Sequence, residues 1–269
     1  MKAEQAKKLA EDALTQLTTA LERGQSDALR QYLAAMSRFH TYSWGNVLLI
    51  LSQKPDATHV AGFQTWRTLG RFVRKGEHGI VIIAPMLITR KEEAAADGDE
   101  TQKLLRFKAV YVFDVSQTDG EPLPEFARVA GNPNGHTDRL RALVAEKGIA
   151  LEYAETLAGA MGRSHGGRIE LLRALAPAEE FSVLVHELAH ELLHRTERRN
   201  STTKTVRETE AEAVAFVVCQ AIGLETGTAA ADYIRLYNGD QATLAESLDS
   251  VQKTAAEILA AILREPENA

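Results

Sequence analysis

The chain has 269 residues, 45% of them apolar and 25% charged, with a formal net charge of −6. That length buries one large core or two modest ones, and no window of eighteen or more apolar residues offers a membrane span. Cys219 is the single cysteine, which excludes an intrachain disulfide and a cysteine-built zinc site. The basic start, Met1 to Lys8, runs into mixed polar helix without an apolar signal core, so a cytoplasmic protein with no membrane partner is expected. Residues 1–125 hold sixteen basic and sixteen acidic residues, so the remainder carries the whole −6. From Phe63 to Lys91, however, Arg67, Arg71, Arg74, Lys75, Arg90 and Lys91 face Glu77 alone, a local basic patch in an acidic protein.

In chain order, residues 3–23 and 25–37 read as amphipathic helices broken at Gly24. Ser43 caps a third, Trp44 to Gln53, which ends before Pro55. Phe63 to Leu69 is a short helix closed by Gly70. The period then changes: 79–89 and 105–115 are rich in Val, Ile, Phe and Tyr and read as two strands, joined by an acidic hairpin loop at 92–100. Residues 116–135 collect Pro122, Pro124, Gly131, Pro133 and Gly135, and mark the domain boundary. A helix over 136–147 follows, then short strands near 150–154 and 167–172, and then long helices. The fold class is α+β. Domain 1–125 has helices and a small antiparallel sheet with a basic turn at 70–79. Domain 126–269 has a short sheet, two long helices and packing helices at 228–238 and 241–264. The strand after Gly166-Gly167, Arg168 to Leu172, is expected to line a cleft and to accept an extended peptide by strand addition.

A helix from Pro177 or Glu179 to about Arg195 contains His186-Glu187-Leu188-Ala189-His190. At 100° per residue, His186, His190 and His194 fall within an arc of about 80° with Glu187 about 20° beyond it, opposite Leu184, Val185, Leu188, Ala189 and Leu192. Two histidines four apart direct their nitrogens to one Zn2+ ion. Glu187, displaced around the helix, is placed to take a proton from water activated at that ion. His194 lies two turns, about 12 Å, beyond His186. It is therefore expected to support the site rather than to bind the metal.

Catalytic zinc takes three protein ligands and keeps one position open. The next helix, 203–222, carries the apolar stripe Ala211, Val214, Ala215, Val218, Cys219 and Ile222. Glu208 falls on that stripe, Glu212 at its edge and Glu210 on the opposite side. A carboxylate on a core-facing stripe needs a strong partner to offset its desolvation, so Glu208 is chosen as third ligand. Glu212, one turn on, is expected to orient a ligand histidine, and it is the rival for the ligand role.

Several stretches resemble the ArdC-type antirestriction proteins of plasmids and mobile elements. They are Phe39-His40, Tyr42-Ser43-Trp44-Gly45-Asn46, Gly62 to Trp66, and Gly70-Arg71-Phe72-Val73-Arg74-Lys75-Gly76-Glu77-His78-Gly79-Ile80. In the second half, His186 to His194 and Arg207 to Ala213 resemble the same proteins and also the ImmA/IrrE-like metallopeptidases. The resemblance implies an N-terminal single-stranded-DNA-binding domain joined to a zincin-like metallopeptidase domain, with DNA and a protein or peptide substrate as partners. Tyr42, Trp44, Phe63 and Trp66 are suited to stacking bases, beside Asn46, and Arg67, Arg71, Arg74 and Lys75 to neutralising phosphates. Trp44 and Trp66 fit a helix core equally well. Two other functions stand beside protection of incoming DNA: a peptidase that cleaves a repressor or regulator, and a non-catalytic binding protein with a structural zinc. His194 as a fourth ligand favours the last.

Overall fold

The first two expected helices run Ala3–Glu22 (α1) and Ser26–Arg38 (α2) in the computed structural model. It describes residues 3–23, 26–90, 102–120, 132–133, 135–195, 197–224 and 241–264. The loop expected at 92–100, most of the boundary segment and the helix expected at 228–238 lie outside the described residues. The chain forms two units, Met1–Ala13 with Leu48–Leu123, and Leu14–Val47 with Pro124–Ala269. It therefore passes between them within α1, within the third helix Trp44–Gln53 (α3), and again at 123–124. The second unit takes in residues 14–47 as well as the chain after the Pro- and Gly-rich boundary.

In the first unit, Val60–Gly62 (β1), Ile80–Arg90 (β3) and Gln102–Asp114 (β4) form an antiparallel sheet in the order β1-β4-β3. The register pairs Val60 with Asp114 and Ile80 with Val112. Gln53 extends the pairing. Its side-chain amide donates to the carbonyl of Val81 and accepts from its N–H, both at 2.9 Å. Phe63–Thr68 (α4) is anchored by Trp66, 2% exposed, whose indole N–H donates to the Phe113 carbonyl at 2.8 Å. Arg71–Val73 (β2) and Thr118–Gly120 (β5) make a two-stranded ribbon. At Gly120, φ is +134° and a Cβ would stand 2.3 Å from the Gly70 carbonyl, so only glycine fits. Between β4 and β5, the turn Val115–Gln117 is capped by buried Asp114. Its carboxylate accepts from the N–H groups of Thr58, His59 and Ser116 at 2.7, 3.1 and 2.9 Å.

In the second unit, Ala150–Ala154 (β6), Gly162–Ser164 (β7) and Arg168–Leu172 (β8) form a mixed sheet. The order is β6-β8-β7, with β6 parallel and β7 antiparallel to β8. Strand β8 is thus paired on both sides. The expectation that it receives an extended peptide is corrected: among the described residues the sheet's edges belong to β6 and β7. Helices His136–Glu146 (α5), Pro177–Leu193 (α6), Glu197–Ser201 (α7), Lys204–Ala221 (α8) and Gln241–Ile262 (α9) complete the unit. Helix α8 packs on α2, α6 and α9 at once. Its buried face is correspondingly wide, from Thr209, Glu210 and Ala211 through Val214 to Cys219. The core around it includes Phe181, Leu184, Val185, Leu188, Ala189, Leu244, Leu248 and Val251. The molecule is α+β. Among the described residues no helix is long and apolar enough to cross a membrane.

Candidate functional site

Helix α6 begins cleanly. Pro177 occupies its first turn, and Glu179 reaches back to the N–H of Ala176 at 3.2 Å. Its apolar side sinks into the core, which leaves His186 and His190 stacked one turn apart on the opposite side. Their Nε2 atoms lie 3.1 Å from each other. Glu208, from the second turn of α8, brings Oε2 to 3.6 Å from His186 Nε2 and 3.5 Å from His190 Nε2. Among the described residues these three side chains are the group able to hold a metal ion. A tetrahedral zinc with donors at about 2.0–2.1 Å spaces them about 3.3 Å apart, so the triangle fits such an ion without rearrangement. The donor set of two imidazoles and one carboxylate also leaves a coordination position open.

The surroundings are asymmetric. Burial pushes His186 down, but Glu208 and Glu212 on its two sides more than offset this and raise it to about 9. Glu212 does so from Oε2, 3.3 Å from His186 Nδ1. Hydrogen bonds from the two imidazoles hold the Glu208 carboxyl far below the usual range. Glu187, 7% exposed, is pushed up by burial against the opposing pull of the two histidines. Edge strand β7 passes directly over it. A Cβ at Gly162 would stand 2.8 Å from the Glu187 Cγ and Oε1 atoms.

Behind the triangle runs a buried polar chain. His190 Nδ1 lies 3.0 Å from His194 Nδ1, and His194 Nε2 lies 2.9 Å from Glu210 Oε2. Arg198 and Ser247 each donate to Glu210 Oε1 at 2.6 Å. His194 thus turns one nitrogen to His190 and the other to Glu210, and it is not one of the three converging donors. Glu210 is 1% exposed. Burial pushes its carboxyl up, and the bonds from His194, Arg198 and Ser247 bring it below its ordinary value. The sequence places Glu210 on the side of α8 away from the stripe. That side is also buried, because helices pack around α8 on more than one face. Glu191 was missed as well. Also 1% exposed, it accepts from Ser164 Oγ at 2.6 Å and from the N–H groups of Gly166 and Gly167 at 2.7 and 2.6 Å, and it pairs with Arg195 at 2.8 Å. It pins the β7–β8 turn to α6. A glutamate directly after the second histidine was the only signal available.

The expected DNA residues are divided between the units. Tyr42, Trp44 and Asn46 lie in the second, and Trp66, Arg67, Arg71, Arg74 and Lys75 in the first. Tyr42 and Trp44 are half-buried. Tyr42 meets Phe39 edge-on, and the Trp44 carbonyl accepts from Tyr32. Asn46 is 9% exposed, and its N–H donates to Ser43 Oγ at 3.4 Å. Trp66 is corrected: its ring is core and offers no stacking face, because burial also satisfies its N–H within the sheet. Arg71 bonds across the ribbon to Thr118, and Arg74 pairs with Glu77 and Asp119. Arg67 and Lys75 are exposed. Of the expected stacking rings Phe63 is exposed, at 47%, and in the same unit Phe72, Phe107 and Tyr111 are exposed as well, at 58, 48 and 49%.

Residues 7–113 match the family model of the N-terminal domain of anti-restriction factor ArdC. The Mn(II)-bound crystal structure of antirestriction ArdC protein from the R388 plasmid aligns over 96% of this chain and 99% of its own, with a TM-score of 0.56 at 17% identity. Residues 7–113 thus carry an ArdC-type N-terminal domain. Over nearly its whole length the chain is similar in fold to that R388 protein. The metal-free structure of the R388 protein aligns over 80% of this chain and 83% of its own, with a TM-score of 0.49 at 22% identity. The Bacillus anthracis protein pXO2-81 is 25% identical over 293 residues, 93% of this chain and 49% of that protein. The chain therefore spans about half the length of that curated relative.

Proposed function

We propose that this chain is an antirestriction protein of incoming plasmid or mobile-element DNA, with a first unit that holds single-stranded DNA and a zincin-like metallopeptidase centre in the second. The observation that carries the hydrolase reading is the convergence of His186, His190 and Glu208 beside a buried, raised glutamate. A divalent ion held there, zinc by the donor chemistry, supplies Lewis-acid polarisation of a carbonyl and acidifies water. His186 and His190 present Nε2 to it, with their other nitrogens fixed by Glu212 and His194. Glu187 takes the proton of the attacking water and returns it to the leaving amine. Its raised affinity for protons, from burial, suits both steps. Strand β7, with its free edge over Glu187, offers the backbone groups against which an extended peptide lies.

The nucleic-acid reading draws on the first unit. Phe107 and Tyr111 share one face of the central strand β4, and Lys7 stands 5.7 Å over the Phe107 ring. Exposed rings on a sheet, with exposed Arg67 and Lys75 in the same unit, suit unpaired bases and their phosphates.

The test of the hydrolase reading is incubation of the zinc-loaded chain with unfolded host proteins, followed by sequencing of new amino termini. Wild type is expected to generate them and Glu187→Gln to generate none. Equal cleavage by both, or by neither, overturns the peptidase assignment.

A further inference from the structure

A cavity of about 850 Å³ opens beside His190, walled by the turn 164–167, by His190 and Glu191 at the end of α6 with His194 and Arg195 just after it, and by Arg199 of α7. Its charges do not cancel. Glu191 at its wall is matched by Arg195, by Ser164 and by two backbone N–H groups. His165 pairs with Glu170 at 2.8 Å, and His194 with Glu210. Arg199 is exposed, and among the described residues no carboxylate forms an ion pair with its guanidinium. Among the described residues the cavity thus keeps one cation without a counter-charge, next to an imidazole of the candidate metal centre. Its wall is held in place, because Glu191 fastens Gly166 and Gly167 in left-handed backbone, φ +71° and +115°.

We propose that this cavity is an anion-recognising subsite of the peptidase centre, taking the carboxylate of an acidic residue next to the scissile bond, with Arg199 as its partner. This rests on the peptidase reading above. A guanidinium meets a carboxylate through two parallel N–H bonds, a geometry that the amide of Asn or Gln matches poorly and an ammonium opposes. The space suits a side chain and its neighbours. The centre therefore selects acidic over neutral sequences and rejects basic ones.

The experiment is isothermal titration of the zinc-loaded full chain with short blocked peptides bearing a hydroxamate, which binds the metal without turnover. One series carries the hydroxamate at the carboxyl end and another at the amino end, each with Asp, Asn or Lys beside it. In one series Asp is expected to bind at least tenfold tighter than Asn, and Lys more weakly than Asn. Arg199→Gln should abolish the preference and Arg199→Glu should invert it, both with wild-type zinc content. Equal binding of Asp and Asn in both series overturns the subsite while leaving the metal centre standing. A preference for Asp that survives both Arg199 variants also overturns it. Absence of any hydroxamate binding sinks the peptidase reading and the subsite together.

Discussion

Glu208 and Glu212 sit one turn apart on α8, yet they address opposite edges of the His186 ring, Nε2 and Nδ1. The two carboxylates therefore have separable roles. Glu208 also reaches His190, so its loss removes one of three converging donors. Glu212 touches the metal-facing atoms only through His186, so its loss loosens a ring rather than deleting a ligand. Removal of such an outer partner typically costs about 10–100-fold in metal affinity. Zinc competition against a fluorescent chelator should show Glu212→Ala weakened within that range and Glu208→Ala weakened further. A larger loss in Glu212→Ala would reverse the assignment of third ligand.

Strand β4 shows what an element can and cannot advertise. Its length and β-branched, aromatic composition were readable, and so was the amphipathic period of α6, because both signals are local. The three-residue strands β2, β5 and β7 were not. Each is too short to show a period, and β2 finds its partner β5 across 45 to 49 positions, from Val73 with Thr118 to Arg71 with Gly120. Trp66 and Phe107 illustrate the same limit at the level of surface. Composition makes either ring a core or a stacking group, and only the sheet decides, burying Trp66 under β4 and leaving Phe107 on it. Glu210 failed for a related reason, since a helical wheel assumes one buried face and α8 has more than one. The reassigned rings carry a prediction. Base stacking contributes about 1–3 kcal/mol per ring, so Phe107→Ala with Tyr111→Ala should weaken binding of a labelled single-stranded oligonucleotide at least tenfold in fluorescence anisotropy. Arg67→Ala with Lys75→Ala should instead flatten the salt dependence by up to about two in log–log slope. Unchanged affinity in the aromatic pair would remove β4 from the proposed nucleic-acid surface.

Each of the two units holds one of the chain's two tryptophans, Trp44 in the second and Trp66 in the first. A Trp44→Phe background therefore lets fluorescence follow the first unit in the intact protein. Trp66 is a direct reporter there, hydrogen-bonded to Phe113, whose neighbour Asp114 ties Thr58, His59 and the turn at Val115–Gln117 to the end of β4. Burial raises the Asp114 carboxyl, but the N–H bonds from Ser116, Thr58 and His59 outweigh it and hold the group below its ordinary value. A carboxyl depressed in the folded state contributes stability above its unfolded value, about 3.9, and loses that contribution as pH falls through the lower folded value. Asp114→Asn removes the charge from three N–H bonds and should destabilise the Trp66-reported transition by about 1–3 kcal/mol in urea at pH 7. The gap to the unsubstituted protein should narrow as the pH falls below about 4, because protonation then does to Asp114 what the substitution has already done. A gap that stays constant down to pH 3 would show that the charge on Asp114 contributes nothing to holding this unit together.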